Sequence, residues 1–221
     1  MQARYVGIAS VVLAVAFALL TVFVAQHPTA DIVPGEGIVA VVDKLPWLID
    51  ACEVLAILGG DTVLLIAVVA VAGTLLATRH PRLATYLVLS ALGSVVLVAL
   101  MKSLVERDRP ATNGVLVLAG GWSYPSGHAS AGIAVVGAIG VVCLAVGRRP
   151  PMRVLGWCLI GLGVTIGLSR VLLGVHYALD VLGGWLLGAA VTCTAGFVVL
   201  YGRSAKAPAD ESIQLSVRLD E

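Results

Sequence analysis

Two histidines in this chain stand at the edges of long apolar runs, each with companions that could make it reactive. Ser169 to Asp180 reads Ser-Arg-Val-Leu-Leu-Gly-Val-His-Tyr-Ala-Leu-Asp. The segment lies between two hydrophobic runs, so Arg170, His176 and Asp180 sit beside hydrocarbon, where ionisable groups are costly and are usually kept for function. If the segment is helical, His176 and Asp180 are at i and i+4, and the carboxylate can hold one imidazole nitrogen. An imidazole held in that way, next to the fixed cation of Arg170, is a nucleophile aimed at an anion. The other histidine, His128, follows Pro125-Ser126-Gly127. A glycine-containing turn ahead of a helix leaves backbone N–H groups unpaired and pointing outward, which favours a bound phosphate. Ser126 adds a hydroxyl donor there. His128, on the first helical turn, is placed to give a proton to a leaving oxygen.

More cations come from Lys102 and Arg109, seven residues apart, with Pro110 directly after. On a helix that spacing is two turns, and both side chains point the same way. Arg107 then points away from that face, and Glu106 and Asp108 serve to balance the local charge. A basic pair at the end of a span often snorkels to lipid headgroups, but these two fall at the end where the distribution of basic residues disfavours them. Two histidines and an aspartate could also be zinc ligands. The concentration of Lys102, Arg109 and Arg170 opposes a cation and suits an anion, and the sequence holds no His-Glu-x-x-His. The site expected is therefore metal-free and anion-binding.

The elements that must carry these residues are membrane helices. The chain has 221 residues, 59% hydrophobic and 12% charged, about half the charge fraction of a soluble domain. Six apolar runs approach or exceed the roughly 20 residues that cross hydrocarbon: Val6–Ala25, Thr62–Ala77, Ala84–Met101, Ala129–Val146, Val154–Leu173 and Ala178–Tyr201. The first is long for a signal-peptide core and reads as an uncleaved anchor. Ile38 to Leu58 is apolar but interrupted by Asp43, Lys44, Asp50 and Glu53, a pattern suited to a helix lying at the interface. The fold expected is all-α: a polytopic membrane bundle of six transmembrane helices with an interfacial helix after the first. Residues 1–203 form one domain, and 204–221 read as a polar, flexible cytoplasmic tail. The four cysteines show no disulfide pattern and read as small packing residues.

Orientation follows from the basic residues. With the N-terminus in the cytoplasm, Arg4, Arg79, Arg82, Arg148, Arg149, Arg153, Arg203 and Lys206 all fall on that side. The outer side holds Lys44, Lys102, Arg107, Arg109 and Arg170. Six spans with both termini inside obey the positive-inside rule, and the reactive residues then gather at the outer face.

Lys102 with six residues to Arg109-Pro110, then Pro125-Ser-Gly-His128, then Ser169-Arg170 with five residues to His176 and three more to Asp180, resemble the three-part signature of the type 2 phosphatidic acid phosphatase family. That family shares its site with the vanadium haloperoxidases. The resemblance implies that His176 attacks phosphorus to give a phosphohistidine, that Asp180 holds the other imidazole nitrogen, and that His128 protonates the leaving group. It implies that Lys102, Arg109 and Arg170, with Ser126, Ser169 and the Gly127 amide, cradle the phosphoryl oxygens. No cofactor is implied. The substrate implied is a membrane lipid phosphate at the outer leaflet of the plasma membrane: polyprenyl diphosphate first, with phosphatidic acid, phosphatidylglycerol phosphate or a lipid acceptor for the phosphoryl group as the alternatives. On this topology a cysteine placed at Thr112, in a chain lacking Cys52, Cys143, Cys158 and Cys193, reacts with an impermeant maleimide added to intact cells. Protection until the cells are lysed would invert the orientation.

Overall fold

A chain this apolar can satisfy its backbone inside a bilayer only through helices or a closed barrel. In the computed structural model, which describes residues 2–31, 40–110 and 120–201, it does so with helices and no strand among the described residues. The stretches Pro34 to Gly37 and Ala111 to Leu118, and the tail 204–221, lie outside them. The helices are α1 (Gln2–Gln26), α2 (Pro46–Leu58), α3 (Asp61–Ala77), α4 (Pro81–Val105), α5 (Gly127–Val146), α6 (Pro150–Leu172) and α7 (Ala178–Gly196). A π-helical turn, Gly132–Gly137, interrupts α5, and a second one, Phe197–Tyr201, extends α7.

Five helices (α1, α4, α5, α6 and α7) are each long and apolar enough to cross a membrane, and α2 with α3 make a sixth as a pair bent by 51°. The expected six-span bundle is therefore present. The added detail is that the helix after the first span and the second span are two limbs of one broken element. The break falls at Gly59-Gly60, where α2 ends and α3 begins. Outward-facing side chains such as Val11, Leu19, Leu65, Ile66, Val95 and Trp157 are exposed in the isolated chain, as befits a surface that meets lipid.

Lipid tails are as apolar as leucine, so helices in a bilayer associate through close packing and internal hydrogen bonds instead. Both devices are present. Gly132 on α5 meets Gly163 on α6 so closely that a Cβ on either would lie 2.5 or 2.4 Å from the other's carbonyl oxygen. The hydroxyls of Ser94 (α4) and Ser130 (α5) are 2.8 Å apart and buried, those of Thr21 (α1) and Tyr124 are 2.9 Å apart, and those of Ser10 (α1) and Thr194 (α7) 2.6 Å. Helix α7 is central and packs on α1, α4, α5 and α6.

One helix end differs from its expected course. Instead of running to Arg109, α4 stops at Val105, and Glu106 takes a left-handed conformation with φ 46° and ψ 38°. Lys102 and Arg109 are therefore not two turns apart on one helix face. Pro110 disfavours helical geometry in the residue before it, and the side chain of Arg107 is drawn into the protein.

Gly184 sets how near α7 comes to the Ser126–His128 turn. A Cβ there would lie 2.5 Å from the Ser126 carbonyl oxygen and 2.8 Å from Ala129 Cβ, whereas one at Gly161 meets nothing within 4 Å. Gly184→Ala is expected to cost about 1–3 kcal/mol, the usual penalty of overpacking, read as a lowered melting temperature in detergent, while Gly161→Ala leaves it unchanged. Equal melting of the two variants would contradict the close-approach argument.

Candidate active site

The third motif is built by a helix end, a turn and a helix start. After α6 closes at Leu172, Gly174 adopts φ +72°, a conformation that costs glycine nothing. The amides of Val175 and His176 then fold back on the Arg170 carbonyl at 3.2 and 3.3 Å. His176 thus precedes α7 rather than lying on it. The i, i+4 helical pairing is replaced by a capping arrangement: Asp180, in the first turn of α7, accepts the Tyr177 amide at 3.0 Å, and its Oδ2 lies 3.4 Å from His176 Nδ1. The next two amides, of Ala178 and Leu179, are taken by the carboxylate of Asp31 at 3.1 and 3.2 Å. Two carboxylates therefore serve three otherwise unpaired N–H groups at the positive end of α7.

Asp180 is fully buried and held from several directions. Ser123 Oγ donates to Oδ2 at 2.5 Å and also lies 3.3 Å from His176 Nδ1. Arg107 Nη1 donates to Oδ1 at 2.6 Å. Arg107 is not the outward-facing bystander expected; it is 2% exposed. Its other nitrogens bond the carbonyls of Pro28 and Ala30, at 2.8 and 2.5 Å, and its guanidinium lies 3.9 Å over the Tyr177 ring. The only sequence hint was a basic residue at the outer end of a span. Ser123 left no signal beyond its nearness to Ser126.

The opposite imidazole edge faces cations. Arg109 Nη1 is 3.2 Å from His176 Nε2 and donates to the Val175 carbonyl at 2.8 Å. Its Nε and Nη2 hold the carbonyls of Gly121 and Gly120, and Lys102 Nζ holds that of Trp122. Lys102 is in electrostatic reach of both His176 and His128. Burial, helped by Arg109 and Lys102 and opposed by Asp180, pulls the His176 imidazole down to about 4, so it is neutral at physiological pH.

Three buried donors have no partner among the described residues: Ser126 Oγ, Arg170 Nε and, on α7, Trp185 Nε1. Ser126 is the residue ahead of α5, yet its hydroxyl does not cap that helix. An unmatched buried donor is expensive, and two of them in motifs already suspected of holding an anion mark where its oxygens would go. Packing does not demand glycine at Gly127, where a Cβ would find its nearest atom at 3.7 Å. Ser169 differs: its hydroxyl donates to the Ile166 carbonyl of its own helix at 2.8 Å, so in this state it is committed within α6. His128 Nε2 lies 3.2 Å from the Ala56 carbonyl near the end of α2. The second and third motifs are joined directly by a 3.0 Å bond from the Ser126 amide to the Asp180 carbonyl.

Below this site an apolar cavity of about 440 Å³ opens between α1, α4 and α7, lined by Phe17, Leu97, Met101, Leu187 and Val191 among others. Met101 is the residue before Lys102.

The family model of the PAP2 superfamily matches residues 83–203, a stretch that contains all three motifs. The chain is similar to the undecaprenyl-diphosphatase of Sulfolobus acidocaldarius, 41% identical over 71 residues, which are 32% of this chain and 31% of that protein. It therefore spans less than a third of that relative's length. Similarity to the phosphatidylglycerophosphatase B of Bacillus subtilis is wider: 30% identity over 154 residues, 67% of this chain and 74% of the relative. Among solved structures, a transmembrane PAP2 type phosphatidylglycerolphosphate phosphatase from Bacillus subtilis superposes with a TM-score of 0.68 at 25% identity, covering 91% of this chain and 98% of that one. LpxE of Aquifex aeolicus follows with a TM-score of 0.56 at 25% identity, covering 71% and 91%. With the motifs, the helical architecture and these similarities in agreement, the chain is a multi-pass membrane protein that belongs to the PAP2 superfamily.

Proposed function

We propose that the protein is a metal-independent lipid phosphatase that works at the extracytoplasmic face of the plasma membrane, with both termini in the cytoplasm. The observation that carries the reading is the setting of His176. One ring nitrogen faces the Asp180 carboxylate and the other faces Arg109. A proton on Nδ1, directed at Asp180, leaves the lone pair on Nε2, which faces Arg109 Nη1 at 3.2 Å and attacks phosphorus once that guanidinium turns to a phosphoryl oxygen. The P–N bond forms as the bond to the lipid oxygen breaks, and His128 gives that oxygen its proton. Asp180 stabilises the imidazolium that results. Lys102, Arg109, Arg170, Ser126 and the Gly127 amide receive the charge on the phosphoryl oxygens, and this positioning supplies most of the catalysis in phosphoryl transfer. Water then breaks the P–N bond, with His128 taking its proton, and inorganic phosphate leaves.

The lipid proposed first is a polyprenyl diphosphate, in line with the name of the archaeal relative that is 41% identical over 71 residues. Phosphatidylglycerol phosphate is the second reading, favoured by the wider coverage of the Bacillus subtilis relative. The cavity beneath Lys102 suits an apolar tail in either case. Transfer to a lipid acceptor would use the same residues, and phosphate release without any added acceptor separates hydrolysis from transfer.

The decisive assay is phosphate release in detergent from a panel of polyprenyl diphosphate, phosphatidylglycerol phosphate and phosphatidic acid. His176→Ala is expected to fall below roughly 10⁻³ of wild type, the scale lost when a nucleophile is removed. His128→Ala loses about 10²–10⁴-fold. Full activity in His176→Ala would refute the mechanism. Activity is expected to survive excess EDTA, and its loss would restore a metal to the reaction.

The pH profile carries a separate expectation. The nucleophile works only when neutral, so its contribution is present above its own pKa and is lost as pH falls through that value. With His176 held near 4, the acid limb of kcat/KM, corrected for ionisation of the substrate, lies at least a unit below the ordinary histidine value of about 6.5. A limb at 6.5 would mean that the attacking imidazole is not the buried one.

A further inference from the structure

The proposed mechanism gives Arg107 no role, yet it is the largest fully buried side chain among the described residues. A guanidinium cannot shed its charge in the way a lysine can, so burying one demands a partner for the charge and acceptors for its N–H groups. The partner is Asp180, through a 2.6 Å ion pair whose side chains are 1% and 0% exposed. The acceptors are the carbonyls of Pro28 and Ala30, on the chain leaving α1. The same short segment supplies Asp31, which takes the amides of Ala178 and Leu179 at the head of α7. Arg107 also lies over the ring of Tyr177, the residue between His176 and α7. In addition, its carbonyl accepts the Ser123 amide at 2.7 Å, which fixes the residue whose hydroxyl bonds Asp180 Oδ2.

The two carboxylate oxygens therefore have separate duties. Oδ1 belongs to Arg107, whereas Oδ2 is shared among Ser123, the Tyr177 amide and His176. A carboxylate free to rotate could offer either oxygen to the imidazole or turn away from it. The charged groups facing His176 are Asp180 from α7, Lys102 from the last turn of α4 and Arg109 from the chain beyond it; Arg107 reaches it through Asp180. We infer that Arg107 is a positioning residue of this active site, one that fixes the Asp180 carboxylate for the nucleophile and couples it to the segment that follows the first span. The inference rests on the phosphatase reading of His176 and adds to it a residue outside the three motifs' reacting groups.

The test uses the full-length protein in detergent, with phosphatidic acid as the substrate probe, or polyprenyl diphosphate if the panel shows that lipid to be turned over. Arg107→Met is expected to lower kcat roughly 10²-fold with KM within threefold, a part of the ~10⁴-fold lost when an orienting carboxylate is itself disabled. Its acid limb moves up by about a pH unit, because an uncompensated carboxylate either takes a proton itself or holds the imidazolium more tightly. Arg107→Lys, which keeps the charge but reaches fewer acceptors, recovers at least tenfold of the loss. The Arg107→Met, Asp180→Asn double variant is no slower than Asp180→Asn alone within about threefold, as for two residues acting in one unit. Should Arg107→Met fail to give a monodisperse protein, Arg107→Lys with Asp180→Asn provides the same cycle. Arg107→Met within twofold of wild type, an unmoved acid limb in that variant, or losses that multiply in the double variant would each overturn the inference. Those outcomes alongside an inactive His176→Ala would leave the phosphatase mechanism standing, whereas an active His176→Ala would remove both.

Discussion

Burying a carboxylate is costly unless cations and hydrogen-bond donors replace the water it loses, and Asp180 is where this chain meets that cost. Arg107, Ser123, the Tyr177 amide and His176 all converge on its two oxygens. The donors come from three parts of the chain: the residues just after α4, the stretch before α5, and the adjoining His176 and Tyr177 at the end of the α6–α7 turn. Satisfying the carboxylate therefore forces those parts together. The Ser126 amide bonds the Asp180 backbone carbonyl as well, so the residue proposed to orient the nucleophile also anchors the turn that carries the proposed proton donor. The helix packing beneath, with Gly184 set against the Ser126 carbonyl, permits the approach that these hydrogen bonds require.

Around this satisfied centre the electrostatics are left unbalanced on one side. Lys102 and Arg109 rest on backbone carbonyls of Gly120, Gly121, Trp122 and Val175, which are neutral acceptors and weaker partners than an anion. Arg170 Nε and Ser126 Oγ rest on nothing. The contrast with Arg107, whose donors meet a carboxylate and two carbonyls, divides the cations by purpose. One is structural to the site; the others are positioned for charge that arrives with a ligand. In the proposed reaction a phosphoryl group supplies that charge and exchanges carbonyl contacts for charge-assisted ones.

The sequence made the reacting groups legible because their chemistry is local: a histidine four residues before an aspartate, and a histidine after Pro-Ser-Gly. Helical spans were legible for the same reason, since hydropathy over some 20 residues needs no tertiary context. Three features were not. Arg107 lies two residues before Arg109, and helical periodicity turned it away from the site; only the end of α4 at Val105 and a left-handed Glu106 turn it inward. Ser123 became visible only once Asp180 was placed beside it. The pairing of His176 with Asp180 was expected on a helix face, but it comes from a turn through Gly174 and a carboxylate in the first turn of the next helix. That geometry keeps the same two side chains in reach by a different backbone route. Ser169 shows the reverse case, for the motif marks it while its hydroxyl is used within its own helix.

The parts of the molecule that hold phosphate and the parts that meet the lipid are built on different elements. The three motifs gather at one end of α4, α5, α6 and α7, where polar groups are dense. The apolar cavity lies among α1, α4 and α7, and its wall includes Met101, beside Lys102, and Phe17, whose ring stacks on Tyr124. On the other flank, α2 brings the Ala56 carbonyl to His128 Nε2, and Gly59, at the bend between α2 and α3, has room for no side chain because Ile166 and His128 press against it. The proton donor is thus bordered by the broken span, whereas the nucleophile is bordered by the segment after α1. In the proposed reaction the leaving group, a lipid monophosphate from a diphosphate or an alcohol from a monoester, sits on the His128 side, in line with and opposite to His176, which brings its lipid toward α2 and α3. Substitutions in those elements can change the choice of lipid while leaving Asp180 and its partners, and hence the phosphoryl chemistry, in place.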